Sequence, residues 1–153
     1  MFQINWKLKA FLYKVFSFFN LKLTFYFIQK YITKRSKVEI KNLSIHWQRH
    51  AQTIDKYNCK NLLEIGAGKS LEQNIYLSYK FDNKINQTAI DINHMIDFQL
   101  FNDASKQISQ LMNKNFKGNI KNYNELTNNY NIKYYLPYNI DKLIKADKKF
   151  DLC

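Results

Sequence analysis

The chain has 153 residues, enough for one modest domain with a buried core. Its two cysteines, Cys59 and Cys153, form neither a CxxC nor a metal-like spacing, which excludes a disulfide framework and fits a reducing, cytoplasmic setting. The net charge is +12, but residues 1–60 carry 12 basic and 2 acidic side chains while residues 61–153 carry 12 and 10, so the basic character belongs to the first third. A basic, aromatic first third fits anionic lipid or nucleic acid. AT-biased coding would give the same Asn-, Lys-, Ile- and Tyr-rich composition without any partner.

In chain order, residues 6–33 read as a helix. Lys7, Lys14, Ser17, Asn20 and Thr24 draw a narrow polar stripe on a surface otherwise of Phe, Tyr, Leu, Val and Ile. Lys14 and Lys22 interrupt the apolar run "AFLYKVFSFFNLKLTFYFI", which argues against a spanning helix or a signal peptide. The pattern suits a helix packed on the domain or a partner, and also one lying peripherally on a membrane. A charged link, "KRSKVEIKN", follows, so residues 1–42 form a basic N-terminal segment and residues 43–153 the domain. Ser44 caps a helix over 45–57. "KNLLEIG" is a short buried strand, "SLEQNIYLSYK" a helix, and "INQTAIDI" a second strand that ends in an acid. The apolar positions Ile96, Phe98, Leu100, Phe101, Ile108 and Leu111 predict a helix over about 95–113. The stretch 114–131 is polar with one short helix at "NYNELTNNY". "IKYYLPY" is a third strand, and "KFDLC" begins a fourth. Alternating strands and helices predict an α/β fold with a parallel sheet and flanking helices.

"NLLEIGAGKS" decides the chemistry. Gly68-Lys69-Ser70 imitates the end of a P-loop, but the glycine that motif needs five residues ahead of Gly68 is Leu63, inside a strand. The alternative puts Glu64 at the strand's carboxyl end, followed by Gly66-Ala67-Gly68, where the backbone can turn sharply and approach a ligand. Asp91 ends the second strand 25 residues after Gly66, a little beyond the usual distance of about 20 for a ribose-binding acid. Glu64 would repel a pyrophosphate, which argues against a nicotinamide dinucleotide. It suits a ligand that carries an amino group or a sulfonium.

Here the sequence resembles a known family. "LLEIGAG" is similar to the first motif of class I S-adenosylmethionine-dependent methyltransferases, "TAIDI" to their second, and "IKYYLPYNIDKLIKADKKFDLC" to their third-to-fourth strand region. The resemblance covers about residues 45–153 and implies a Rossmann-like sheet with S-adenosyl-L-methionine as cofactor. It implies that Glu64, Gly66, Ala67 and Gly68 line the methionine end. Asp91 would accept from both ribose hydroxyls, and Ile92 would pack on adenine. Asn139, with Ile140 beside it, would stand where the family often has an acid for the adenine amino group. A carboxamide oxygen still accepts there. Lys69 and Ser70 depart from the family's small residues, and Ser70 is a candidate cap for the next helix. Family members continue past "FDLC" with further strands in the order 3-2-1-4-5-7-6. The resemblance therefore implies an incomplete domain of about four strands, or one completed by a partner chain.

Other motifs read blandly. His46 and His50 share a helix face, but Trp47 stands where a zinc-protease helix has its glutamate. Asp151 reads as a structural acid at a strand's start. No Ser/His/Asp or Cys/His arrangement is legible, so no catalytic residue is named. The expected activity is methyl transfer by alignment to an acceptor that the motifs leave open: small molecule, lipid or glycan precursor, or RNA. The rivals are a non-catalytic SAM-binding or membrane-associated fragment and a nicotinamide-dependent oxidoreductase.

Overall fold

The computed structural model describes residues 37–91, 95–135 and 149–153. The predicted helix at 6–33 and the proline of "IKYYLPY" lie outside them. Val38–Cys153 forms one compact unit. The Gln107 side-chain amide holds the chain where this unit begins. Gln107 Nε2 donates to the Val38 carbonyl at 2.9 Å, and Ile40 N donates to Gln107 Oε1 at 2.8 Å.

Helix α1, Ile45–Tyr57, begins at Ser44, whose Oγ accepts from His46 N at 3.2 Å. It ends where Asn58 enters the left-handed region, a role that asparagine tolerates. Its inner face buries Ala51 and Ile54, and Trp47 packs on Tyr76 with ring centroids 6.0 Å apart. Strand β1, Asn61–Ile65, leads into the glycine turn and helix α2, Glu72–Lys80. Every residue of α2 from Asn74 to Tyr79 is buried, so α2 is the central helix. Strand β2 is Asn86–Ile90. Helix α3, Phe98–Leu111, is capped by Asp97, whose Oδ1 accepts from Gln99 N and Leu100 N at 2.9 and 3.2 Å. Its buried residues, Leu100, Phe101, Ala104, Ser105, Ile108 and Ser109, recur at helical spacing on one face. The short helix α4, Tyr123–Tyr130, is capped by Asn122, and strand β3, Ile132–Tyr135, follows at once.

The three strands form a parallel sheet in the order β1-β2-β3. The register pairs Asn61 with Asn86 and Ile65 with Ile90, then Gln87 with Ile132 and Ile90 with Tyr135. On the other edge of β1 the C-terminal segment returns in parallel, bridging Leu62 to Leu152. Asp151 N donates to the Asn61 carbonyl at 2.8 Å and Leu63 N to the Leu152 carbonyl at 2.9 Å. The chain therefore steps outward from β1 to β3 and then comes back to the opposite flank of β1. Direction of travel reverses at β1, and in open parallel sheets such a reversal opens a crevice at the strands' carboxyl ends. Asp151 has the structural role expected of it: Oδ2 accepts from Lys60 N and Asn61 N at 2.7 and 2.8 Å. These bonds hold its carboxyl below the usual range.

The sheet's starting ends are tied by polar side chains. Asn131 Nδ2 donates to the Asn83 and Ile85 carbonyls at 3.0 and 2.9 Å. Lys117 clamps the same end. Its Nζ donates to the Ser78 carbonyl, near the end of α2, and to Asn83 Oδ1, and lies 4.9 and 5.5 Å from the ring centroids of Tyr79 and Tyr130. Lys117→Met keeps the apolar stem but loses both bonds and the cation–π contacts. A charged hydrogen bond contributes about 1.5–3 kcal/mol when buried, and Lys117 is only half-buried, so the expected loss is about 2 kcal/mol. Urea unfolding of the variant checks this, and an unchanged midpoint would remove Lys117 from the account.

Among the described residues no helix is long and apolar enough to cross a membrane.

Candidate functional site at the carboxyl ends of the strands

The register places Glu64 beside Ala89 and Ala89 beside Tyr134, so these three side chains share one face of the sheet. Asp91, two residues beyond Ala89, continues that face past the end of β2. The glycine turn is anchored to β2 by Gly66 N donating to the Ile90 carbonyl at 2.8 Å. It is anchored to the start of α3 by Asp97 N donating to the Lys69 carbonyl at 2.9 Å. Glu64, the turn and Asp91 are thus brought to one end of one pair of strands.

Gly66 and Gly68 both have φ of +78°, a conformation in which a side chain is strained. A Cβ at either would meet nothing within 4 Å, so the turn's outer side is open to a ligand. Ala67 between them packs on the core. The turn ends in Leu71, a fully buried leucine with φ of +51°. A non-glycine residue there costs on the order of 1 kcal/mol or more, and such strain gathers at sites that constrain the backbone for a purpose. Ser70 does not cap the helix. Leu71 occupies the cap position with no side-chain bond, because α2 begins only at Glu72, and Ser70 Oγ instead donates to Glu72 Oε1 at 2.8 Å.

Glu64 is the electrostatic centre of the site. Its Oε2 is buried and has no hydrogen-bond partner. Burial pushes its carboxyl above the usual range, and the charge of Asp91 pushes the same way; the side-chain amides of Asn74 and Gln73 oppose. A second buried acceptor, Asn74 Oδ1, is also without a partner. The amide is oriented by a chain of bonds: Asn74 Nδ2 donates to Gln87 Oε1 at 3.1 Å, Gln87 Nε2 to Ser78 Oγ at 2.9 Å, and Ser78 Oγ to the Tyr130 carbonyl. Since Ser78 gives its proton to a carbonyl, Gln87 must present its NH2 to Ser78 and its oxygen to Asn74. Asn74 therefore keeps Oδ1 as an acceptor. Both Glu64 and Asn74 line a cavity of about 460 Å³, together with His50, Gln73, Leu152 and Cys153. Two partnerless acceptors in one cavity call for a ligand rich in donors, and the carboxylate favours a cationic one.

Asp91 is 7% exposed, and its Oδ2 accepts from the Tyr134 hydroxyl at 2.6 Å. A carboxylate offers about four lone-pair sites, so Asp91 retains room for ligand hydroxyls. Ile92, Asn139 and Ile140 lie outside the described residues. Gln73, Asn74 and Tyr134 escaped the sequence reading. Asn74 left one trace, a polar residue on the buried face of α2. Tyr134 left none until the strand register set it beside Ala89. His46 and His50 are exposed, and among the described residues no group of three or more His, Cys, Asp or Glu side chains is placed to hold a metal.

Compared with protein-family models, with curated proteins and with solved structures, the chain matches none.

Proposed function

We propose that the chain binds S-adenosylmethionine on a Rossmann-like sheet, at the carboxyl ends of β1 and β2, and serves in methyl transfer. The observation that carries this reading is the buried, partnerless Oε2 of Glu64 at the foot of an open glycine turn. The methionine end of that cofactor offers an ammonium, the donor-rich cation that such an acceptor requires. Asp91, on the same face past the neighbouring strand, suits the ribose hydroxyls. The resemblance of "LLEIGAG" and "TAIDI" to the family's first two motifs supports the same assignment.

In this reading Glu64, with the Asn74 amide beside it, holds the ammonium. Gly66, Ala67 and Gly68 let the backbone approach the methionine end. Asp91 accepts from the ribose, and Ile92, Asn139 and Ile140 take the adenine, as the family resemblance implies. The bound cofactor supplies an electrophilic methyl group on a sulfonium, so the chain's own task is to hold, orient and exclude water rather than to move many protons. Photo-crosslinking of radiolabelled S-adenosylmethionine to the full chain tests the assignment. Labelling should be suppressed by S-adenosylhomocysteine and not by NADH or ATP; equal suppression by NADH would sink it.

The sequence supports a membrane contact as a second part of the proposal. Residues 6–33 combine apolar bulk with Lys7, Lys9, Lys14, Lys22 and Lys30, and Lys34, Arg35 and Lys37 follow. Each basic residue near an acidic surface adds about 1 kcal/mol. The chain should sediment with phosphatidylserine vesicles at low salt and be released at high salt. Recovery in the supernatant at low salt would favour simple packing instead.

A further inference from the structure

Tyr134 is held more firmly than a strand-end tyrosine needs to be. Its hydroxyl donates to Asp91 Oδ2 at 2.6 Å. Its ring is stacked by Tyr123, centroids 5.8 Å apart and planes 7° from parallel. Phe98 closes edgewise on Tyr123 at 5.5 Å and 66°. Phe98 and Tyr123 are the first residues of α3 and α4, so the starts of two helices brace one phenol.

Asp91 gains from this brace. The terminal torsion of an aspartate is broad, and a carboxylate just past a strand end would otherwise rotate freely. We propose that Tyr134 is a positioning residue: it fixes the plane of the Asp91 carboxylate, so that the lone pairs left over form an acceptor-only seat for a vicinal diol. The proposal rests on the reading of Asp91 as a ribose ligand.

Two consequences follow from the chemistry. Asp91 and Glu64 together repel an anion, so the seat takes free ribose hydroxyls and rejects a ribose phosphate. The phenol itself stays protonated well beyond neutral pH, because burial and the neighbouring Asp91 both raise it above its ordinary value. The seat therefore does not switch in the physiological range.

The test compares adenosine with 2′,3′-dideoxyadenosine by calorimetry on the full chain and on Tyr134→Phe, which keeps the braced ring. The wild type should prefer adenosine at least tenfold, and Tyr134→Phe should lose most of that preference while still unfolding in one cooperative transition. A second readout needs no ligand: the 13C resonance of the Tyr134 Cζ followed through alkaline pH. In Asp91→Asn the phenol should ionise at a clearly lower pH than in the wild type. An unchanged diol preference in Tyr134→Phe, or an unchanged titration in Asp91→Asn, overturns the positioning role. A wild type with no preference for the diol overturns the ribose reading of Asp91 and the seat with it. The alkaline titration then still decides whether Tyr134 and Asp91 are coupled.

Discussion

Asp91→Ala is expected to weaken S-adenosylhomocysteine binding by about a hundredfold or more. The carboxylate is the acceptor proposed for two ribose hydroxyls, and a hydrogen bond to a charged group contributes about 1.5–3 kcal/mol. Two such bonds, at about 1.4 kcal/mol per factor of ten, give that loss. The substitution also removes the acceptor for the Tyr134 hydroxyl, so the free protein should lose some stability. Asp91→Asn separates the two effects. Its amide oxygen can still accept from Tyr134, so the thermal midpoint should hold while affinity falls by an intermediate amount. Isothermal calorimetry on the two variants checks both statements. Unchanged affinity in Asp91→Ala would remove Asp91 from the site.

Glu64→Gln is expected to make the free protein more stable and the ligand weaker. The wild-type carboxyl is raised above its unfolded value of 4.5, chiefly by burial. A raised acid contributes most to stability when protonated, below the unfolded value, and that contribution is lost as pH rises through the folded value. Ionising this buried carboxyl, whose Oε2 has no partner, is therefore a cost as pH rises, and a neutral amide relieves it. Removing such a cost is worth on the order of 1 kcal/mol, or a rise of roughly 4 °C in a domain of this size. The gain should vanish below about pH 4.5, where Glu64 is itself neutral. At neutral pH the affinity for a cationic ligand should fall by about tenfold or more, since the charge partner is gone. Thermal melts at pH 4 and pH 7 give the first result and calorimetry the second. A lower midpoint in Glu64→Gln at pH 7 would mean that Glu64 serves the fold and not a ligand.

The elements that sequence could read are those whose signals are local. Ser44 before "IHW" marked a helix start, and the alternation of apolar strands with amphipathic helices marked the parallel sheet. Glu64, the glycines and Asp91 were legible because a strand end, a turn and an acid follow one another within 28 residues of chain. Ser70 misled, because a serine after a glycine turn is an ordinary helix start. Here the backbone continues through Leu71 in the left-handed region before the helix begins, and nothing local announces a leucine in that conformation. The two partnerless oxygens were out of reach for another reason. Whether Asn74 Oδ1 has a donor depends on Gln87, Ser78 and the Tyr130 carbonyl, groups on three elements joined only by folding. The bond from Tyr134 to Asp91 spans 43 residues and needs the β2–β3 register.

In the proposed function the two acids at the strand ends hold opposite parts of one cofactor. A crystal structure of the full chain with S-adenosylhomocysteine tests it most directly. The ligand's ammonium should lie within hydrogen-bond distance of Glu64 and both ribose hydroxyls on Asp91, with the Tyr134 hydroxyl still bound to Asp91 Oδ2. A ligand seated elsewhere, or one that leaves either acid out of contact, would overturn the assignment.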